Sequence, residues 1–322
     1  MRRIALLIAG GAVWLLLAAV PVLADNGPHV AGAGAVADTC AGCHRAHTAK
    51  APKLLLQVQP ALCYTCHGAA GTGATTDVES GIAYTLASRN GSAGIVAGAL
   101  RGGGFANARI DSAAPTGQTN TYSNTAGVIP VKAAGAAVTS THVVDGTTAT
   151  AWGNGALGTA GAGASIQLRC GSCHDPHGNG NYRILRPIPQ QGSGPAVSIT
   201  DETPAKVYTT MNYWSVAAAN SASFLTSASA WCTTCHTRYL ASANSGSTAS
   251  GDAIFTYRHR SDVTTAGGPN CIQCHVSHGS NAAQGTSSQA VTNPDGTTAV
   301  PVTDSRLLRI DNRGTCQMCH NK

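Results

Sequence analysis

The sequence is poor in aromatic and charged residues. Aromatic residues make up 5% of its 322 residues and charged residues 11%, whereas it contains 38 glycines. A domain of this length normally fills its core with large apolar side chains, and this chain has few of them. We therefore expect mostly coil, with short helices and a few small hairpins. The sequence also lacks a glycine-rich phosphate-binding loop and a nucleophile–base constellation, so nothing in it indicates the enzyme classes built on them.

No cysteine is left unassigned. The twelve cysteines form six Cys-x-x-Cys-His motifs, numbered 1 to 6 along the chain. Two thiols at this spacing can add to the two vinyl groups of a haem, and the following histidine is then placed to bind the iron. The motifs consist of Cys40, Cys43 and His44; Cys63, Cys66 and His67; Cys170, Cys173 and His174; Cys232, Cys235 and His236; Cys271, Cys274 and His275; and Cys316, Cys319 and His320.

This pattern predicts six covalently bound haem c groups. Zinc sites and disulfides are the alternatives for paired cysteines in an exported chain. Neither requires a histidine directly after every second cysteine, whereas all six motifs have one. The net charge of +6 does not indicate a nucleic-acid partner, because the propionates of six haems would offset it.

Methionine, the other common axial ligand of haem iron, is scarce. The chain has three methionines, and Met1 and Met318 lie in the N-terminal segment and inside motif 6. Six histidines remain outside the motifs, one for each iron. We therefore expect bis-histidine ligation at all six irons, or at least at five. An iron with two histidine ligands has no site open to a substrate, which predicts electron transfer rather than catalysis. These second ligands would be His29, His47, His142, His177, His259 and His278.

Three of these histidines follow a motif histidine by three residues, in the pattern CxxCHxxH. They are His47, His177 and His278. Three residues of chain reach ~10 Å at most, which is too short to pass around the haem edge to the opposite face of the same iron. Each of these histidines must therefore serve a different haem from that of its own motif.

The N-terminus predicts export. Arg2 and Arg3 precede an apolar run from Ile4 to Leu23, and small residues up to Ala24 suit signal-peptide cleavage. The segment 1–24 is thus a predicted signal peptide, with an uncleaved membrane anchor as the alternative. No cysteine precedes Cys40, so no lipid anchor on a cysteine is expected. The mature protein would be extracellular, at the cell surface or periplasmic.

Residues 25–322 are predicted to form a single haem-organised domain. Residues 68–169 are rich in glycine, alanine and threonine, and we interpret them as a surface excursion that returns at His142, or as a partly disordered segment. Within it, residues 89–92 predict a hairpin turn. Beyond the motifs themselves, no internal repeat is expected.

The order of the blocks resembles one protein family. It runs CxxCHxxH, plain CxxCH, CxxCHDPHG followed by Tyr182-Arg183, Trp231 before CxxCH, CxxCHxxHGS, and a CxxCH near a final lysine. This looks like the extracellular six-haem c-type cytochromes of metal-reducing bacteria, which polymerise into filaments called cytochrome nanowires. The resemblance implies a multihaem cytochrome c fold around a linear haem chain, with alternating parallel-stacked and T-shaped haem pairs.

The resemblance also implies a role in extracellular electron transfer as a homopolymer. His47 corresponds to the histidine that ligates a haem of the neighbouring subunit, and its target would be the haem of His275. Two alternatives stay open: a monomeric periplasmic or cell-surface electron carrier, and a multihaem reductase with an open iron. Other cytochromes or extracellular acceptors would be the redox partners.

Overall fold

The computed structural model describes residues 29, 40–71, 74–84, 96–108, 136–200, 222–239, 249–252, 270–282, 291–296, 299–300 and 304–309. Several predicted features lie outside these residues. They are the signal segment 1–24, the hairpin turn 89–92, His259, and motif 6 with Cys316, Cys319 and His320. Within the described ranges, no helix is long and apolar enough to cross a membrane.

The described α-helices are short and lie at the motifs. A 3-10 turn spans Cys40–Gly42, and the α-helices are α1 Ala61–His67, α2 Cys170–Cys173, α3 Ala222–Cys232 and α4 Cys271–Cys274. The rest is mostly coil and small strand pairs, in agreement with the prediction from composition.

The residue before the second cysteine stabilises the start of two of these helices. In α4, the backbone N–H of Asn270 donates to the side-chain oxygen of Gln273 at 2.7 Å, and both residues are buried. In α2, the N–H of Arg169 donates to Ser172 Oγ at 3.0 Å. Each bond satisfies a backbone donor that a helix start leaves unpaired, which helps one-turn helices to form.

The strands form small antiparallel pairs. β1 (Thr76–Asp77), β2 (Ile82–Tyr84) and β3 (Val96–Ala99) make a three-stranded sheet, in which β2 and β3 pair across the predicted hairpin position. β4 (Asn107–Ala108) pairs with β5 (Ala136–Ala137), β6 (Ser140–Thr141) with β9 (Gly279–Ser280), and β10 (Val291–Thr292) with β11 (Ala299–Val300).

The longest hairpin leads directly into motif 3. It consists of β7 (Asp145–Trp152) and β8 (Gly163–Arg169), and Cys170 follows at once. The β6–β9 pair has a similar positioning role, because the register Thr141↔Gly279 places His142 beside the segment that follows motif 5. The backbone N–H of His142 donates to the carbonyl of His278 at 2.9 Å.

The apolar core of the described residues is small. It centres on Ile199, Phe224 and Leu225, and Tyr182 and Trp231 pack against it. The Trp231 indole N–H donates to the Arg186 carbonyl at 2.7 Å, which ties α3 to the segment after motif 3. A core of this size supplies limited hydrophobic stabilisation, so the positions of the motifs depend largely on backbone and polar contacts.

Candidate haem-binding sites

The ten described cysteines are free thiols that form no disulfide with one another. Within the described ranges, no group of three or more His, Cys, Asp or Glu side chains is placed to hold a metal ion.

Four motifs are closed by the same bond, in which the histidine backbone N–H donates to the carbonyl of the first cysteine. The closing bonds are His44–Cys40 at 2.8 Å, His174–Cys170 at 2.9 Å, His236–Cys232 at 3.1 Å and His275–Cys271 at 2.8 Å.

Each of the five described motif histidines has a hydrogen-bond partner at Nδ1. For four of them the partner is a backbone carbonyl, which can only accept, so Nδ1 carries the proton and Nε2 keeps the lone pair that can bind a metal. For His67 the partner is instead the Thr76 hydroxyl, at 2.9 Å. The four carbonyls are those of Lys53 for His44 at 2.9 Å, Arg183 for His174 at 2.9 Å, Trp152 for His236 at 2.6 Å and Arg306 for His275 at 3.0 Å.

Three of these carbonyls belong to one recurring element, which we call the left-handed turns: residues 53–55, 183–185 and 306–308. The first two residues of each have positive φ, for example 51° at Arg183 and 52° at Ile184. The third residue is always leucine and forms an antiparallel bridge with the motif histidine. This conformation costs an L-residue roughly 1–2 kcal/mol, so the surrounding contacts must hold it in place.

Equivalent backbone bonds join each left-handed turn to its motif. At motif 3, Asp175 N–H donates to the Ile184 carbonyl and Arg186 N–H to the Cys173 carbonyl, both at 2.8 Å. Motif 1 has the same two bonds at 2.8 and 2.9 Å, and motif 5 has them at 2.8 Å. The three CxxCHxxH motifs are therefore built on one backbone plan.

The expectation of no repeat beyond the motifs was wrong. The left-handed turns read KLL, RIL and RLL, and each belongs to a CxxCHxxH motif. In motifs 1 and 3 the basic residue follows the motif histidine by nine positions, as the hydrogen bonds of His44 and His174 show. In motif 5 the spacing is 31. The repeat was missed because two of its three copies share a spacing and the third does not.

The structure brings eight histidines together as four ring pairs, each formed by one motif histidine and one spare histidine. Neither His177 nor His278 lies against the histidine of its own motif. The pairs are His44–His177, with centroids 6.2 Å apart and planes 14° apart; His67–His29, 6.2 Å and 18°; His236–His142, 6.2 Å and 47°; and His174–His278, 6.3 Å and 58°.

This spacing fits two axial ligands of one metal ion. An ion bound at ~2 Å to one nitrogen of each of two opposed imidazoles would place the ring centroids ~6 Å apart. Ordinary aromatic contacts spread over ~4.5–7 Å, as the 4.6 Å contact between Phe105 and His278 illustrates. The four motif–spare pairs all fall at 6.2–6.3 Å, close to the separation expected for two ligands of one ion.

The spare histidines are also oriented at Nδ1. His29 pairs with the Pro176 carbonyl at 2.9 Å and His142 with the Ser277 carbonyl at 2.6 Å. His278 Nδ1 lies 3.3 Å from the Gly103 carbonyl. His177 is more exposed, and its Nδ1 lies 3.6 Å from an Asp175 carboxylate oxygen. In His29, His142 and His278 the carbonyl partner fixes the ring orientation and leaves Nε2 available, as expected of ligands to a metal.

In two of the four pairs, His174–His278 and His236–His142, burial favours the neutral imidazole. Burial lowers the pKa of His174, His236 and His142, and it lowers the pKa of His278 to about 3. A facing histidine adds to this effect, since His174 further lowers the pKa of His278 and His236 that of His142. Neutral imidazole is the form that ligates a metal, so the electrostatics suit the same role.

Successive motifs are spatial neighbours. The thiols of Cys63 (motif 2) and Cys170 (motif 3) are close enough to shift each other's pKa. So are those of Cys232 and Cys271, in motifs 4 and 5. In motif 1, burial raises the pKa of Cys43, and the nearby Cys63 and Cys66 of motif 2 raise it further. In motif 3, burial and then the nearby Cys235 of motif 4 raise the pKa of Cys173. Motifs 1 to 5 thus follow one another in space in chain order.

Two histidines stand apart from the four pairs. His47 is exposed, and no described residue hydrogen-bonds to its ring or stacks on it. His275 is also exposed, and its Nδ1 is held by the Arg306 carbonyl. Among the described residues, no second imidazole lies opposite it.

A family model for the doubled CXXCH motif matches residues 33–72. The match covers motifs 1 and 2, which include Cys40, Cys43, Cys63 and Cys66, and assigns c-type haem binding to them. It supports a multihaem cytochrome c. The paired motifs accordingly imply haem-based electron transfer. No curated protein and no solved structure matches the chain.

Proposed function

We propose that this cytochrome carries six haem c groups, one per motif, and conducts electrons along them as the subunit of an extracellular filament. The observation that carries the proposal is the set of four histidine pairs at 6.2–6.3 Å. When bound, each haem supplies one-electron redox chemistry, and the protein supplies spacing, ligation and electrostatics.

On the basis of these pairs, we assign two histidines to each of four irons. His177 is the second ligand at motif 1, His29 at motif 2, His278 at motif 3 and His142 at motif 4. With both axial positions filled by imidazole, no coordination site remains for a substrate. This supports electron transfer without catalysis, and we do not propose an enzymatic activity.

The tandem histidines hold neighbouring sites together. His177 follows motif 3 and faces His44 of motif 1, while His278 follows motif 5 and faces His174 of motif 3. A short segment that ligates two irons keeps the backbones of its two ligating residues within the reach of three residues, ~10 Å, and so holds the two sites close together. The neighbouring thiols of motifs 1 to 5 support one continuous path through the subunit.

Assembly would occur through a coordination bond between subunits. Among the described residues, neither the exposed His47 nor His275 has a facing imidazole. We assign His47 as the second ligand at motif 5 of a neighbouring copy. His259 then remains as the second ligand of the iron at motif 6, opposite His320. This arrangement is supported by the resemblance to filament-forming cytochromes and by the predicted export of the chain.

Carbon monoxide binding tests the ligation. Native protein, reduced under argon and titrated with carbon monoxide, should keep its low-spin visible spectrum because no iron has an open or weakly held position. Appreciable binding would refute the claim that every iron is closed and would favour the reductase alternative.

Electron microscopy of the secreted fraction distinguishes the filament subunit from the monomeric electron carrier. Filaments are expected at high protein concentration and full haem occupancy. Their absence under those conditions would leave a monomeric periplasmic or cell-surface electron carrier with the same ligation.

A further inference from the structure

The histidine of motif 2 differs from the other described motif histidines in its hydrogen-bond acceptor. His67 Nδ1 lies 2.9 Å from Thr76 Oγ1. His44, His174, His236 and His275 each face a backbone carbonyl at 2.6–3.0 Å. Motif 2 therefore has a side chain where the others use the main chain, and that side chain can be changed without altering the backbone.

Thr76 is held in place by contacts between β1 and the end of α1. The Val78 N–H donates to the His67 carbonyl at 2.7 Å, and Thr76 pairs with Ala83 of β2. The Glu79 carboxylate accepts the Ala69 N–H at 2.8 Å. These bonds span both sides of His67 and Thr76, so the distance between the ring and the hydroxyl is fixed by the fold.

The turn that follows Thr76 is itself rigid. Asp77 is buried, and its Oδ1 accepts the N–H groups of Glu79 at 3.1 Å and Ser80 at 2.8 Å. This arrangement closes the turn between β1 and β2 independently of Thr76. A change confined to the Thr76 side chain should therefore leave the local backbone as it is.

The type of acceptor affects how strongly an imidazole donates to a metal. An acceptor at Nδ1–H pulls the proton and makes the ring a more basic ligand, which stabilises the oxidised iron and lowers its reduction potential. A carbonyl oxygen is only an acceptor. A hydroxyl oxygen is a weaker acceptor, and its own O–H must also donate to some other group. With threonine at this position, His67 is a weaker donor than a carbonyl partner would make it.

We propose that Thr76 is a positioning residue that sets the reduction potential of the haem at motif 2 above the value that a carbonyl acceptor would give. The inference rests on the proposed function, since it requires a haem on Cys63 and Cys66 with His67 as its ligand. The chain would thus use one side-chain hydroxyl to make the motif 2 haem more easily reduced than it would be with a carbonyl acceptor.

The test uses three variants of the full-length holoprotein. Thr76→Val is nearly isosteric, suits a strand and removes the acceptor. Thr76→Asn offers an uncharged carbonyl oxygen, and Thr76→Ser keeps a hydroxyl as the matched control. Each variant is checked by mass spectrometry for haem on the peptide containing Cys63 and Cys66, and its haems are then titrated by spectroelectrochemistry.

The expected result is a reversal of sign at one haem. Thr76→Val should raise one midpoint potential, Thr76→Asn should lower the same one, and Thr76→Ser should change none. Shifts of the same sign in the valine and asparagine variants, or no shift in either with haem content intact, would overturn the inference. If only the valine variant loses haem, the inference is tested by the other two variants: Thr76→Asn should lower one midpoint potential and Thr76→Ser should change none. A wild-type peptide without haem would refute the proposed function instead.

Discussion

The ring of His278 lies opposite that of His174, with 6.3 Å between the centroids, although His278 follows the histidine of motif 5 by three residues. His278 Nδ1 lies 3.3 Å from the Gly103 carbonyl, and the His278 N–H donates to the Gly102 carbonyl at 2.7 Å. Phe105 stacks on the same ring at 4.6 Å. Gly102, Gly103 and Phe105, which are distant from His278 along the chain, thus orient its ring toward motif 3.

Replacing His278 should open a single iron. In His278→Ala, the covalent haem count should stay unchanged, because Cys170 and Cys173 attach the haem of motif 3 independently of the second ligand. The reduced protein should bind about one carbon monoxide per chain. The measurement is a carbon monoxide titration followed in the visible spectrum.

His278→Met is the matched control, since a thioether can refill the axial position. It should bind little carbon monoxide and raise one reduction potential. If His278→Ala bound no carbon monoxide, His278 would not be a ligand of any iron.

Replacing His47 should block assembly without affecting haem attachment. His47 is exposed, and no described residue hydrogen-bonds to its ring or stacks on it, so His47→Ala should fold and carry its full haem complement. Electron microscopy of the secreted variant should show no filaments. Normal filaments from this variant would refute the coordination bond between subunits, and the pairing of His177 with His44 would be unaffected.

The left-handed turn at motif 3 should tolerate glycine and reject proline at one position. Arg183 has φ 51° and an exposed side chain, and its carbonyl accepts from His174. Glycine adopts this φ freely, so Arg183→Gly should stay within ~1 kcal/mol of the wild type. Proline is fixed near φ −65°, so Arg183→Pro should lose ~3 kcal/mol or more of unfolding free energy.

Thermal unfolding of the two holoproteins measures this difference. The proline variant should also show a perturbed spectrum at one haem, because its turn can no longer present the carbonyl to His174. Equal stability of the glycine and proline variants would mean that the turn does not hold the ligand.

The buried ion pair between Arg238 and Asp252 should be costly to break. The two groups lie 2.9 Å apart and are 1% and 0% exposed. Arg238 also donates to the carbonyls of Thr159 and Gly161, which ties the loop of the β7–β8 region to the segment after motif 4. Asp252→Ala leaves a buried cation unpaired and should cost ~3–5 kcal/mol in denaturant unfolding.

The double variant Arg238→Met with Asp252→Leu is the control for that pair. Replacing both charges by apolar groups of similar size removes the unpaired cation, so the double variant should recover much of the unfolding free energy that Asp252→Ala loses. A double variant as unstable as Asp252→Ala would show that packing at these positions, rather than charge, carries the effect.

Much of the fold was predictable from composition and motif spacing. The scarcity of large apolar residues correctly indicated mostly coil with short helices, because little hydrophobic surface is available to stabilise longer elements. The doubled-motif match at residues 33–72 supports the haem prediction from Cys40 to His67. Chain reach alone argued that His177 cannot serve its own haem, and the structure places it against His44.

The acceptors of the motif histidines and the pairing of the histidines could not be predicted, because they depend on contacts that do not require particular residue types. The acceptors at Nδ1 of His44, His174, His236 and His275 are backbone carbonyls, which every residue has. Which spare histidine faces which motif histidine depends on long-range strand pairs such as β6 with β9, whose two residues each are too short to show a pattern. The left-handed turns did leave a signal, but only in the comparison of KLL, RIL and RLL.

A density map of the secreted material tests the central claim most directly. It should show every iron between two imidazoles, with His44 opposite His177, His67 opposite His29, His174 opposite His278 and His236 opposite His142, and with His47 on the motif 5 haem of the next subunit. An iron of motifs 1 to 4 with water or a different side chain on its second face would contradict the account.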